Sequence, residues 1–219
     1  MKKYKIIIIS LVLLTFAIVG ISLAYFDEIV PIHFGPNGKP DQYGSKYFML
    51  VFPSIELLIA LAMLLVSKYG KVSENYKKYM LLTGAIIELI FSTLAVIFAI
   101  YALNYVEDKA PFDMSKPIMI IFGLLFIVMG NFMPKIEKNR TLGLKTKWSM
   151  YNEVTWQKSH RFVGFVSVIV GILVFISGLF FKDMVNFIIL MSLVAVHVTS
   201  STIMSYIYYK DEKVKELGA

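Results

Sequence analysis

The sequence contains no cysteine, which excludes disulfide bonds, thiolate metal sites and cysteine nucleophiles. Arginine is also scarce: Arg140 and Arg161 are the only two among 22 basic residues. The motifs of common enzyme sites are missing too, since there is no G-x-S-x-G elbow, H-E-x-x-H zinc helix, P-loop or dinucleotide fingerprint. We therefore expect neither enzymatic activity nor a cofactor.

Six long apolar runs dominate the chain. They lie at roughly 6–26, 47–66, 79–103, 117–134, 162–181 and 184–208. Each is close to the ~20 residues that span the hydrocarbon core of a bilayer. Because 58% of the residues are apolar, little remains to build a water-facing surface. The sequence predicts an all-α integral membrane protein with six transmembrane helices.

The segments between these runs divide the basic residues unevenly. When the segments are placed alternately inside and outside, 17 of the 22 lysines and arginines fall inside and 5 outside. The positive-inside rule then predicts that both termini are cytoplasmic. The first run follows Lys2, Lys3 and Lys5 as in a signal peptide. Its ~20 apolar residues exceed the 7–15 of a signal peptide, so we expect an uncleaved helix.

The formal net charge of the chain is +7. Most of the excess lies on the predicted cytoplasmic side, where anionic lipid headgroups attract lysine and arginine. We therefore expect membrane lipid to be the partner of this charge, and we expect no direct binding of nucleic acid.

The chain divides into three regions by its polar segments. Region 1–78 holds two helices and an outer loop at 27–46, region 79–116 holds the third helix and an outer loop, and region 117–219 holds three helices with an inner loop at 135–161. The first outer loop is rich in proline and glycine, which favour turns. We expect it to form a tight extracellular hairpin.

The last part of the inner loop is typical of a helix start. Asn152 is a good N-cap, and Glu153 lies where the positive end of the helix dipole favours a carboxylate. Since no helix-breaking residue follows, we expect this helix to continue into the fifth span. We expect Trp148 and Trp156 at the level of the lipid headgroups, where amphipathic rings prefer to lie.

Three ionisable residues, Glu56, Glu88 and His197, fall near the middle of apolar runs. A charged side chain there costs ~2.5–3.5 kcal/mol on insertion scales, so such residues are candidates for function. One interpretation is a buried acid–histidine cluster that handles a proton or a polar ligand group. The other is that hydrogen bonds of these side chains fix helix packing. His197 shares a helical face with Ser201, Ser205 and Tyr208, which predicts that this face points inward.

Glycines recur at seven-residue intervals in two of the predicted helices. They are Gly123 and Gly130 in the fourth run and Gly164, Gly171 and Gly178 in the fifth. Small residues at such intervals let helices approach closely in lipid. We expect a packing role, either inside the chain or between two copies of it in a homo-oligomer.

His33 and Asp41 in the first outer loop are candidate ligands for a divalent metal. Two ligands without a second histidine are few for zinc. We therefore favour a hydrogen bond that stabilises the loop, and we expect no metal site.

Two stretches of the sequence follow a known pattern. One reads approximately G-N-x-M-P-K, then N-x-x-x-G-[IL]-[RK]-T-x-W-[ST], then E-x-x-W-x-x-x-[HN]-R. The residues that carry it are Asn131, Pro134, Asn139, Arg140, Gly143, Thr146, Trp148, Trp156, His160 and Arg161. This stretch resembles the SdpI family of bacterial immunity proteins. The outer loop, with Pro31, His33, Gly38, Asp41 and Gly44, is similar to a small domain of unknown function that often precedes it.

The resemblance implies a six-helix protein of the bacterial cell membrane that protects its producer from a secreted, membrane-active peptide toxin of the sporulation-delaying type. It also implies a second role in signal transduction, in which the protein holds a cytoplasmic repressor at the membrane when toxin is present. Two departures bear on repressor docking: Lys145 stands where arginine is common, and Lys147 where proline is frequent.

Two routes of toxin capture remain open at this stage. The toxin can bind from outside, on the loop around His33 and Asp41, or it can enter laterally between helices. The alternative function is a small proton-coupled transporter or exporter that uses Glu56, Glu88 and His197. An intramembrane hydrolase would need a nucleophile or a metal that the sequence does not offer.

Overall fold

The computed structural model describes residues 1–106, 110–139 and 142–217. Within these ranges six helices are long and apolar enough to cross a membrane. They are α1 (Lys2–Ser22), α2 (Val51–Tyr69), α3 (Glu74–Asn104), α4 (Ser115–Phe132), α5 (Glu153–Phe180) and α6 (Asp183–Leu217). Short 3-10 helices, Lys46–Leu50 and Met133–Lys135, extend α2 and α4. The predicted multi-pass helical membrane protein is confirmed, and the orientation of its termini stays a prediction.

The helices pack in two groups. In the first, α3 packs against α1 and α2; in the second, α5 packs along α4 and α6, and α3 and α4 connect the groups. Many large apolar side chains remain on the outside, among them Leu58, Phe165 and Phe180. This apolar surface suits contact with lipid tails. Within each helix the backbone polar groups are paired with one another, as a bilayer requires.

The two glycine stripes face each other between α4 and α5. A Cβ added to Gly171 would lie 2.7 Å from the carbonyl oxygen of Gly123, and one added to Gly164 would lie 2.6 Å from that of Gly130. Gly178 meets Met119 in the same way. The predicted packing role is therefore present, and it is an internal one.

The first outer loop forms the expected hairpin. Strands β1 (Ile29–Phe34) and β2 (Pro40–Ser45) pair in an antiparallel sheet. The ring of Phe34 makes edge contacts with Phe98 and Tyr101 of α3, at centroid distances of 5.3 and 4.8 Å. These contacts seat the hairpin on the end of the first helix group.

The fifth helix begins where the sequence predicted. The Asn152 side chain accepts a hydrogen bond from the backbone of Thr155, and the Thr155 hydroxyl accepts one from the backbone of Asn152. This reciprocal cap satisfies two donors at the helix start. From there α5 runs without a break to Phe180.

Candidate functional site

A polar contact joins the two strands of the outer hairpin. His33 Nδ1 on β1 lies 2.5 Å from Asp41 Oδ1 on β2, and both side chains are about half exposed. The hydrogen bond that we favoured for this pair is thus present. Across the described ranges, no group of three His, Asp or Glu side chains is arranged to hold a metal ion.

The other predicted residues of the outer loop shape the hairpin. Pro31 is buried, and Gly44 leaves room for Ile32, whose Cδ1 would lie 2.9 Å from a Cβ at position 44. Gly38 has a φ of 71°, which favours glycine. A Cβ at Gly38 would also collide with the carboxylate of Asp113. The tip of the hairpin therefore packs directly against the segment that leads into α4.

A cavity of about 210 Å³ opens between the hairpin, α4 and α6. Its walls are mainly apolar and include Phe34, Pro36, Ile118, Met119, Phe187 and Leu190. Asn186 lines it from α6 and is only 1% exposed. Its Nδ2 donates to the carbonyl oxygen of Phe181 at 3.1 Å, but its Oδ1 has no hydrogen-bond partner among the described residues. The outer cavity thus joins apolar walls to a buried acceptor that is not satisfied.

The two glutamates lie in the core of the first helix group, where both are fully buried. The hydroxyl of Thr15 on α1 donates to Ser92 Oγ on α3 at 2.8 Å, and Ser92 donates to Glu56 Oε2 on α2 at 3.0 Å. Glu88 lies one helical turn from Ser92. Neither of its carboxyl oxygens, nor Glu56 Oε1, has a hydrogen-bond partner in the described part of the chain.

His197 does not join the glutamates. Its Nε2 lies 2.7 Å from Ser167 Oγ on α5, and its ring meets Phe126 of α4 edge-on at 5.8 Å. The interpretation of one acid–histidine cluster is not supported, because α6 packs on α5 and α4 while the glutamates lie among α1, α2 and α3. The inward face of α6 is confirmed, since Ser201 and Ser205 are 2% and 0% exposed.

On the inner side, Trp156 and His160 form the centre of the family-like pattern. Trp156 is 1% exposed and donates from Nε1 to the carbonyl oxygen of Ile136 at 2.8 Å. Trp156 therefore anchors the inner loop in the protein core, and its predicted level in the membrane stays a prediction. His160 stacks on it at 3.8 Å. Its Nε2 accepts from the backbone of Leu144, so its Nδ1 donates to the carbonyl oxygen of Trp156.

Three further residues of the pattern hold the inner loop. Gly143 has a φ of 102°, and a Cβ there would collide with His160 Nε2. The hydroxyls of Thr146 and Ser205 lie 2.6 Å apart, which ties the loop to α6. Asn139 Oδ1 accepts from the backbone of Leu142 at 2.7 Å. The described parts of the inner loop, 136–139 and 142–152, are thus fixed to both α5 and α6.

The remaining residues of the pattern lie around the inner loop. The ring of Pro134 fills the space at Gly164, and Asn131 is exposed and donates to its own helix. Trp148 is half-buried and meets the ring of Tyr206 edge-on at 5.1 Å. Arg161 lines a polar inner cavity of about 280 Å³. The predicted site residue Arg140 lies outside the described residues.

The end of α6 is fastened to the same loop. Tyr151 donates to Glu216 Oε2 at 2.5 Å, and Lys158 pairs with Glu212 at 2.6 Å. The hydrogen bond to Glu216 raises the pKa of the Tyr151 hydroxyl. The C-terminal turns of α6 therefore belong to the inner surface around the loop.

Comparison with known proteins bears on this inner pattern. Residues 135–207 match the SdpI/YfhL protein family. The chain carries an SdpI/YfhL segment. Residues 10–57 match a domain of unknown function, DUF1648. The resemblance seen in the sequence is thereby confirmed.

The likeness to an SdpI protein extends beyond the matched segments. The chain is 28% identical over 212 residues to the immunity protein SdpI of Bacillus subtilis (strain 168), which covers 96% of this chain and 97% of that protein. No solved structure matches the chain.

The SdpI/YfhL segment contains the inner loop, α5 and most of α6, and the DUF1648 segment contains the outer hairpin. His33 and Phe34 line the outer cavity from the DUF1648 segment, whereas Asn186, Phe187 and Leu190 line it from the SdpI/YfhL segment. The outer cavity therefore lies where the two matched segments meet.

Sequence reasoning missed Thr15, Ser92 and Asn186. Hydroxyl and amide groups are ordinary in membrane helices, so none of the three is conspicuous alone. A usable signal is depth: Thr15 and Ser92 lie near the midpoints of their runs, at the level expected for Glu56. For Asn186 the sequence offers no comparable signal, because its position beside the hairpin depends on how the helices pack.

Proposed function

We propose that this protein is an immunity protein that binds a secreted, membrane-active peptide toxin and so protects the bacterium that makes it. The extended likeness to the immunity protein SdpI supports this role. The observation that carries the binding part is the outer cavity beneath the hairpin. In the predicted orientation, it faces the side from which a secreted toxin arrives.

The surface around the hairpin suits an amphipathic peptide. Tyr25 and Ile29 are 75% and 67% exposed, and the Asp41 carboxylate is exposed near the tip of the hairpin. Amphipathic peptides lie in the membrane interface with apolar and charged faces on opposite sides. The exposed apolar side chains of Tyr25 and Ile29 can contact the apolar face of such a peptide, and the carboxylate of Asp41 can contact its charged face.

We further propose that the described parts of the inner loop, 136–139 and 142–152, form the docking surface for a cytoplasmic repressor. The loop exposes Leu142 and Tyr151, at 43% and 40%. It is fixed to α5 through His160 and to α6 through Thr146, so a shift of either helix moves it. Signalling then requires that toxin bind two arrangements of these helices with different affinities.

The alternative function, a proton-coupled transporter, has one observation in its favour. Glu56 and Glu88 leave three buried carboxyl oxygens without partners in the described part of the chain. The separate position of His197 beside Ser167 removes the third member of the pathway that this alternative assumed. We therefore place binding ahead of transport.

The test is survival of a toxin-sensitive bacterium that expresses this chain and is challenged with a sporulation-delaying-type peptide. We expect protection by the unchanged chain, weaker protection by Asp41→Ala, which breaks the contact with His33, and full protection by the exposed outer control Lys182→Ala. Membrane abundance is measured for each variant. No protection by the unchanged chain at verified abundance would contradict the proposed function for this class of toxin.

A further inference from the structure

We propose that the outer cavity receives one aromatic side chain of the toxin, and that the N–H or O–H group of this side chain donates to Asn186 Oδ1. This inference rests on the proposed function and goes further, because it states the chemistry of the group that is recognised. The decisive juxtaposition is that of Asn186 with the apolar walls supplied by the hairpin, α4 and α6.

The walls select an apolar occupant. Phe34 and Pro36 close the cavity from the hairpin, and Ile118, Phe187 and Leu190 close it from the helices. The lining residues include no aspartate or glutamate. Two nearby carboxylates, Asp41 and Asp113, lie beside the lining residues His33 and Gly38 but do not line the cavity themselves. A lysine or arginine head would therefore lose its water there without direct contact with a carboxylate, which is costly.

The buried acceptor narrows the choice further. Asn186 is 1% exposed, its Nδ2 is already bonded to the carbonyl oxygen of Phe181, and its Oδ1 has no partner among the described residues. Buried polar atoms in folded proteins almost always have a hydrogen-bond partner. An occupant that supplies a donor satisfies Oδ1, whereas a purely aliphatic or phenylalanine side chain leaves it unsatisfied.

Tryptophan and tyrosine meet both requirements. Each has a large apolar ring and one polar group that can donate. An apolar cavity of about 150 Å³ already holds one benzene ring, so the outer cavity of about 210 Å³ has room for a single indole or phenol ring. We therefore assign the cavity to one anchoring ring of a peptide whose remainder lies on the outer surface.

The first test measures binding of a synthetic sporulation-delaying-type peptide to the purified full chain in lipid nanodiscs. Ile118→Trp fills the cavity from within, and Asn186→Leu removes the acceptor. We expect each variant to weaken binding by about tenfold or more. The matched control is Ile172→Trp, because Ile172 is 44% exposed on the outside of α5 and lies away from the cavity. This control should bind as the unchanged chain does.

The outcomes separate the two proposals. Full binding by both cavity variants, with binding by the unchanged chain, would overturn the assignment of the cavity and leave the proposed function standing. Absence of binding and of protection by the unchanged chain would overturn both. If Asn186→Leu does not fold, Ile118→Trp still decides the matter, because it keeps the bond of Asn186 to Phe181.

A second test asks, without any toxin, whether an N–H donor on the ligand strengthens binding in the outer cavity. Saturation-transfer NMR compares indole with 1-methylindole, which has the same ring system but no N–H, on the unchanged chain in nanodiscs. Empty nanodiscs give the correction for partition into lipid. We expect a stronger signal from indole, and we expect this preference to disappear in Asn186→Leu. Equal signals from both probes on the unchanged chain would overturn the role of Asn186 as acceptor.

Discussion

The two tryptophans differ in ways that their sequence contexts do not reveal. Trp156 is buried and donates to the carbonyl oxygen of Ile136, whereas Trp148 is half-buried and packs on Tyr206. Both stand beside predicted spans, so composition alone places both at the headgroups. Only the fold of the inner loop separates a core anchor from a ring near the surface.

We predict that Trp156→Phe destabilises the protein more than Trp148→Phe does. Removing the indole N–H leaves a buried carbonyl oxygen of Ile136 unpartnered, which costs about 1 to 3 kcal/mol. The check is thermal unfolding of the purified variants, with Trp148→Phe as the matched control. Equal melting temperatures would contradict the anchoring role of Trp156.

A second prediction at the residue scale concerns Glu88. Neither of its carboxyl oxygens has a hydrogen-bond partner among the described residues, so exchange for an amide of the same shape removes no observed bond. We expect Glu88→Gln to keep both membrane abundance and protection in the survival assay. Loss of protection at normal abundance would show that ionisation of Glu88 is required, and it would favour the transporter.

At the scale of elements, the contact of α4 with α5 depends on glycine. The backbone of Gly123 approaches that of Gly171 so closely that a methyl group on either one would meet a carbonyl oxygen. Helices in lipid gain little from burial of apolar surface, so close approach of this kind supplies much of their attraction. The helix α5, at the centre of the SdpI/YfhL segment, makes this contact.

We predict that Gly171→Ala separates α4 from α5 and destabilises the protein by about 1 to 3 kcal/mol, as expected of an overpacked contact. The matched control is Gly20→Ala, also within a helix, where an added Cβ would have nothing within 4 Å. Unfolding in detergent, followed by circular dichroism, compares the two. Alanine has a higher helix propensity than glycine, and nothing crowds a Cβ at position 20. A control as unstable as Gly171→Ala would therefore contradict the packing explanation.

The helices and strands themselves were largely predictable from the sequence, but which of them pack against each other was not. Apolar runs located the six spans, prolines and glycines located the hairpin, and Asn152 marked the start of α5, because these signals are local. The partners of His197 and Glu56 depend on which helices are adjacent, and no local pattern states that. The glycine stripes predicted close packing, yet only the fold shows that they pack on each other.

At the scale of the whole molecule, the two matched segments supply different elements and meet at the outer cavity. The DUF1648 segment supplies the hairpin at the predicted outer face, and the SdpI/YfhL segment runs from the inner loop to the outer cavity and back along α6. Asn186 at the cavity and Ser205 at the inner loop both lie on α6. One rigid helix thus connects the proposed toxin site with the proposed docking surface, which gives a physical route for sensing.

The most direct test of the central claim is membrane potential, recorded in sensitive cells as a sporulation-delaying-type peptide is added from outside. Cells that express the chain should keep their potential at peptide concentrations that depolarise cells with an empty vector. Ile118→Trp, at equal abundance, should shift the response toward that of the vector. Depolarisation at the same peptide concentration with and without the chain, at verified membrane expression, would contradict the account.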